Sequence, residues 1–236
     1  MGVTIVGIDL AKSVFRLHGC DEQGRAVIRK QLTRGQLLAF MAQVPACTVA
    51  MEACGSAHYW ARELEQLGHR VRLVNPRFVK PYVKANKNDA SDAEAICEAA
   101  SRPSMRFVAV KTAAQLEVQA LHRVRQQLVK NRTALINQVR GLLAEHGIAI
   151  PRGRAQLQRS LAQILEDADH RLSGLMREIL SESSERLKFI EARLRQYELH
   201  IERRFRQDPR CRAIGGGRRC GSVDRYRPGG GSRQCR

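Results

Sequence analysis

Val3-Thr4-Ile5-Val6-Gly7-Ile8-Asp9 opens the chain as a β-branched, apolar run that ends on an acid. A short continuous run of this kind reads as a buried strand. Ser13 to Cys20 follows with Val14, Arg16 and His18 alternating against Phe15, Leu17 and Gly19, as a partly exposed strand does. Asp21-Glu22-Gln23-Gly24 is a turn, with Gly24 suited to a left-handed position. Ala26 to Leu32 returns as a third strand, so the start of the chain predicts an antiparallel meander. Thr33 is placed to cap a helix through Leu37, Leu38 and Met41. Cys47 to Ala53 repeats the opening pattern, a buried strand with an acid, Glu52, near its end. Ser56 to Leu67 reads as a helix closed by Gly68. Val71 to Val74 is a fifth strand, and Asp89 to Ala100 a helix with Ala93, Ile96, Cys97 and Ala100 on its apolar side. Residues 1–110 are therefore expected to form an α/β domain.

Beyond Thr112 the apolar period lengthens. Thr112-x-x-Gln115 has the form of a capping box, and Leu121, Val124, Leu128, Leu135 and Leu142 recur at helical spacings. Gly147 and Pro151 break that arm. Further apolar residues run from Leu157 to Ile179 and from Leu187 to Phe205, with Ser181 to Ser184 marking an expected bend. Two long arms joined by a Gly/Pro turn predict an antiparallel coiled-coil hairpin over 111–208. Residues 209–236 differ again. The 22 positions from Gly215 hold seven Gly and six Arg but no Leu, Ile, Phe or Met, a composition that builds no core.

The 236 residues carry 41 Lys and Arg against 23 Asp and Glu, a formal charge of +18. A field of that sign attracts polyanions, phosphate backbones foremost. The apolar runs are too short to cross a bilayer as helices. No basic region followed by a cleavable apolar segment opens the chain. A cytoplasmic protein with no membrane partner is the expectation. Seven cysteines without a CxxC pair argue for reduced, mostly buried thiols rather than zinc or disulfides.

Four acids stand out: Asp9, Glu52, Asp89 and Asp92. The first two end buried strands, where a charge is costly unless paired or bound to metal. Asp89 and Asp92 are three apart at a helix start, so both carboxylates lie on one face. Phosphodiester chemistry commonly uses hard divalent cations, and Mg²⁺ takes oxygen ligands while keeping several waters. Each acid also has a bland explanation, since a strand-end acid often only begins a loop and Asp suits a helix N-terminus.

The successive blocks Gly7-Ile8-Asp9-Leu10-Ala11-Lys12, Met51-Glu52-Ala53-Cys54-Gly55 leading to Tyr59-Trp60, Val74-Asn75-Pro76 and Lys87-Asn88-Asp89-Ala90-Ser91-Asp92-Ala93 resemble those of the DEDD transposases of the IS110 insertion-sequence type, which includes the Piv invertases. Order and separations agree over about residues 3–212. The resemblance implies an RNase-H-like (RuvC-like) domain, a coiled coil and a C-terminal transposase domain. It implies that Asp9, Glu52, Asp89 and Asp92 are a catalytic tetrad binding Mg²⁺ or Mn²⁺. It further implies DNA and a structured guide RNA as partners; homo-oligomers are expected from the coiled coil itself.

One departure accompanies the match. In the family, the last domain follows a segment like Asp208-Pro209-Arg210-Cys211-Arg212 and carries a nucleophilic serine. Here Gly/Arg-rich text follows instead, and neither Ser222 nor Ser232 stands in the expected context, so neither is assigned. A frameshift or truncation near Ile214 is the expectation, leaving a chain that folds but does not recombine DNA alone; a basic disordered tail is the alternative. For nucleic-acid binding, the cations before the Asp89 pair are the candidates: Arg72, Arg77, Lys80, Lys84 and Lys87, with Arg70 beside them. Arg123, Arg125, Lys130, Arg132 and Arg140 extend the charge along the first arm, where a solvated face explains them equally well. Phe78 and Tyr82 are placed to stack on a base, although Phe78 suits a core position equally well; His58, six residues after Glu52, is close enough to approach the acids but better suits an ordinary helix surface. A Holliday-junction-type nuclease and a non-catalytic nucleic-acid-binding module remain the competing functions.

Overall fold

The computed structural model describes residues 2–83, 89–167 and 172–208, and the side chains of 89–91 lie outside that description. The chain divides into two compact units, one ending at Thr112 and one beginning at Ala113.

The first unit is a mixed sheet with helices on both faces. The expected meander forms: β1 (Ile5–Leu10), β2 (Val14–Cys20) and β3 (Ala26–Thr33) pair antiparallel. Gly24 takes φ +77° in the turn between β2 and β3. A short helix, α1 (Leu37–Met41), leads to β4 (Thr48–Glu52), which returns parallel to β1 with Ile8 opposite Met51. The helix α2 (Ala57–Gln66) carries the chain to β5 (Arg70–Val74), parallel to β4. Then come a single turn α3 (Pro76–Val79), a 3₁₀ turn over Lys80–Tyr82, the helix α4 (Asp89–Ser101) and an antiparallel edge strand β6 (Phe107–Val108). The strand order is β3-β2-β1-β4-β5-β6.

The period-2 alternation of strands sorts side chains between the two faces. Val6, Ile8, Phe15, Leu17, Val49, Met51 and Leu73 join Leu37, Met41, Trp60, Ala61 and Leu64 in one core under α1 and α2. Ala50 and Val74 face the other way, into a second core with Val79, Ala95, Ile96, Ala99 and Ala100 under α4. One detail differs from the sequence expectation at α1. Thr33 is not its cap; Gln36 occupies that position, and its side-chain oxygen accepts from the Thr33 amide at 2.9 Å and hydroxyl at 3.0 Å. The strand runs through Thr33, so the cap position falls three residues later.

The second unit is helical: α5 (Ala113–Glu145), α6 (Arg154–Glu166) and α7 (Gly174–Gln207). Leu135, Val139 and Leu143 of α5, Leu157, Leu161 and Ile164 of α6, and Leu180, Leu187, Ile190 and Leu194 of α7 share one core. Arg204 meets Glu117 and Arg125 meets Glu198, each at 3.0 Å, so α5 and α7 run antiparallel. The bend expected at Ser181 to Ser184 does not occur, because α7 passes straight through it. Serine costs a helix only a few tenths of a kcal/mol, and the burial of Leu180 and Leu187 on either side outweighs that. The chain instead re-enters helix at Gly174, where Ser173 caps α7 by accepting from the Met176 amide at 3.2 Å. Among the described residues no helix is long and apolar enough to cross a membrane.

Candidate acidic site

Asp9 follows Ile8 and Glu52 follows Met51, and those two residues are partners across the parallel pair β1–β4. The two acids therefore leave neighbouring strands at the same end. Both also take the opposite face from Ile8 and Met51, the face that Ala50 shares with α4. The strand period alone puts two carboxylates side by side there.

Gly7 explains why α4 meets them. It lies two residues before Asp9 on the same face. A Cβ at this position would stand 2.3 Å from the Ala93 carbonyl oxygen and 2.8 Å from the Cys97 amide nitrogen. Only glycine lets the backbone of α4 lie directly on β1. Ala93 follows Asp92, so this contact carries Asp92 toward Asp9. At the far end of the helix, the Arg72 Nη1 donates to the Ala100 carbonyl at 3.3 Å, and Cys97 packs its sulfur 3.7 Å from that of Cys20.

Electrostatics register the convergence. Burial pushes the Asp9 carboxyl above its ordinary value; the Asp92 charge adds to this, and Arg16, its partner across β1–β2, offsets part. Glu52 is raised as well, by burial first and then by Asp9 and Asp92, with Lys80 opposing. Asp9 is thus repelled by Asp92, and Glu52 by Asp9 and Asp92, a repulsion that each relieves by binding a proton or a cation. Among the described residues no set of three His, Cys, Asp or Glu side chains is close enough to hold an ion as it stands. Asp89 begins α4, but its side chain lies outside the described residues. The donor chemistry nonetheless suits a hard divalent cation. The ligands would all be carboxylate oxygens, partly desolvated and mutually repelling, and a bound cation relieves both penalties.

The cationic candidates fare differently. Lys80 is exposed and near enough to Glu52 to act on its charge. Arg77 is exposed on α3, whose start is capped by Asn75, accepting from the Arg77 amide at 3.0 Å. Losing that cap in Asn75→Ala is expected to cost about 1 kcal/mol, read as a lower urea midpoint. Arg72 is tied into the fold: besides bonding Ala100, its guanidinium covers the Phe107 ring at 4.7 Å. Lys84 and Lys87 lie outside the described residues. On the first arm, Arg125 pairs with Glu198, and Arg140 donates to the carbonyls of Pro151 and Gly153 at 3.0 Å each. His58 does not approach the acids. It is buried on α2, on the opposite face of the sheet, where its Nδ1 accepts from the Lys111 amide at 3.2 Å. Burial, with Lys111 and Arg62 nearby, holds its pKa below the ordinary value. Its place on an apolar helix face, with Ala57 and Ala61 as neighbours, was the available signal. Arg16 and the role of Gly7 went unread in the sequence, although a glycine two residues before a strand-end acid marks a close backbone approach.

Comparisons with known proteins agree on one group. A family model described as transposase, of the DEDD type and named for IS110, matches residues 6–148. A probable family 20 transposase of Pseudomonas aeruginosa is 54% identical over 215 residues, covering 91% of this chain and 64% of the relative. The transposase for insertion sequence element IS1328 of Yersinia enterocolitica is 43% identical, covering 87% and 61%. That for IS1111A of Coxiella burnetii is 46% identical, covering 76% and 49%. The chain thus spans roughly half to two-thirds of the length of these curated relatives. Among solved structures, T. thermophilus RuvC in complex with Holliday junction substrate gives a TM-score of 0.35 at 16% identity, covering 46% of this chain and 100% of the other. That likeness is too weak to bear on fold or function.

Proposed function

The chain belongs to the IS110-type family of DEDD transposases, and from that premise we propose that Asp9, Glu52, Asp89 and Asp92 hold a divalent cation, Mg²⁺ or Mn²⁺, for phosphodiester chemistry on DNA. The observation that carries the reading is that three of these acids lie within reach of one another's charge. Asp9 and Glu52 end paired parallel strands on the face covered by α4, and both carboxyls are raised in part by Asp92. When bound, the cation supplies a Lewis acid that lowers the cost of charge on the phosphate oxygens.

The chain's own residues do the rest. β1 and β4 fix Asp9 and Glu52 on strand ends, which hold a ligand more rigidly than loops do. Gly7 sets the height of α4, and so of Asp92, above them. Arg16 and Lys80 favour the ionised carboxylates against burial and mutual repulsion, and Lys80 is exposed where a phosphate would approach Glu52. In this reading the sheet is RNase-H-like, Arg77, Lys80, Lys84 and Lys87 track a phosphate backbone, a structured guide RNA is a second partner, and the helical unit joins copies as a coiled coil.

The binding half is tested on the full chain with a fluorescent duplex across a salt series. The expected result is affinity falling on the order of a thousandfold between 50 and 200 mM salt, as for about six phosphate contacts. Lys80→Ala should flatten that slope by about one unit. Weak binding that ignores salt would remove the reading.

A further inference from the structure

At the end of α4 away from Asp92 lies a cleft of about 410 Å³, lined by Phe78, Pro81, Tyr82, Ser104, Met105 and Arg106. Its make-up is unusual for this chain, in which aromatic residues are only 5% of the total. Phe78 is 46% exposed, although α3 buries its neighbour Val79 in the core. Tyr82 packs its inner side against that same core. The Arg102 guanidinium stands over the Tyr82 ring at 5.5 Å from its centroid. Arg106 is exposed on the wall, Arg77 and Lys80 are exposed on the adjoining turns, and among the described residues no carboxylate lines the cleft.

We propose that this cleft is a stacking pocket for an unpaired nucleobase of single-stranded DNA, stacked on the exposed Phe78 ring with its phosphate against Arg106. The proposal rests on the nucleic-acid reading above and adds a subsite to it. Aromatic faces bind any base by stacking, and a cationic rim holds the backbone. The volume suffices for a nucleoside and is in the range of small-molecule sites. Met105 and Pro81 supply apolar wall without competing polar groups. The choice of DNA follows from position. Arg102 is ten residues beyond Asp92, about 15 Å along a helix. That is about four nucleotides of a stacked strand. A strand with its reacting phosphate at the acids, once unpaired, reaches the cleft within that length.

The test uses the full chain and short oligonucleotides carrying 2-aminopurine, whose fluorescence falls on stacking against an aromatic ring. The wild-type protein should quench it in single-stranded DNA. Phe78→Ala should abolish the quenching and weaken single-strand binding roughly 5- to 150-fold. Phe78→Trp should keep both, and duplex binding should change less than twofold in either variant. Since Phe78 is half exposed, circular dichroism of Phe78→Ala should match that of the wild type; an unfolded variant passes the decision to Arg106→Ala, which should weaken single-strand binding severalfold while duplex binding holds. If single-stranded DNA binds Phe78→Ala as it binds the wild type, the pocket is overturned while the nucleic-acid reading stands. An effect on single-stranded RNA alone overturns the assignment to DNA. Absence of salt-dependent binding to any nucleic acid, duplex included, would instead overturn the reading beneath it.

Discussion

Gly7→Ala is expected to destabilise the first unit by about 3 kcal/mol, the upper end of the usual cost of overpacking. The new methyl meets two backbone atoms of α4, the Ala93 oxygen at 2.3 Å and the Cys97 nitrogen at 2.8 Å. Neither can turn aside as a side chain would. The helix must rise off β1, and its buried residues Ala93, Ile96, Cys97 and Ala100 go with it. Thermal unfolding should shift down on the order of 10 °C. Because Asp92 rides on α4, the variant should also lose divalent-metal binding at temperatures where it remains folded. The comparison is with Gly2→Ala, whose Cβ meets nothing within 4 Å and which should leave the melting curve in place. A Gly7→Ala protein that melts like the wild type would show that α4 does not seat on β1.

Asp9→Asn is expected to do two opposite things. Without metal it should stabilise the fold. Burial and the Asp92 charge raise the Asp9 carboxyl above its ordinary 3.8, so the folded protein binds this proton more readily than the unfolded one. The associated stability is present below pH 3.8 and lost as pH rises through the folded-state value, leaving the carboxylate a net cost at neutral pH. Glu52 behaves likewise above its ordinary 4.5. An amide carries no charge, so the variant escapes this cost, and its stability should fall less between pH 4 and 7. With Mn²⁺ the order reverses. A cation at a hundred times its dissociation constant stabilises the wild type by about 2.7 kcal/mol. Asp9→Asn should lose that gain, its affinity falling more than roughly 100-fold, beyond what loss of an outer-shell partner costs. Calorimetric titration with Mn²⁺ and melting curves at two pH values read both effects. Equal metal responses in the two proteins would remove Asp9 from the site.

The two buried strands, the meander and the helix from Asp89 were legible because apolar period and turn chemistry are local properties. The same is true of the acids, since Asp9 and Glu52 are conspicuous at the ends of apolar runs. The long helices were legible as helices but not in their joints. The expected bend at Ser181 to Ser184 lay inside α7, because burial of Leu180 and Leu187 outweighs a weak local preference. His58 is neither near the acids nor on the surface, for a related reason: six residues from a strand end is a short distance in sequence, yet α2 crosses to the other face of the sheet and buries this side chain.

From residues alone it followed that the chain carries an α/β unit, long helices, a strong positive charge and the acidic blocks of a transposase family. Local patterning and composition suffice for these. Whether the acids meet was decided only by the tertiary structure. Asp9 and Glu52 become neighbours through parallel pairing of strands 43 residues apart. Asp92 comes within reach of their charge because a missing side chain at Gly7 lets one helix touch one strand. A strand's period tells which face a carboxylate takes; only packing of that face tells what stands across from it.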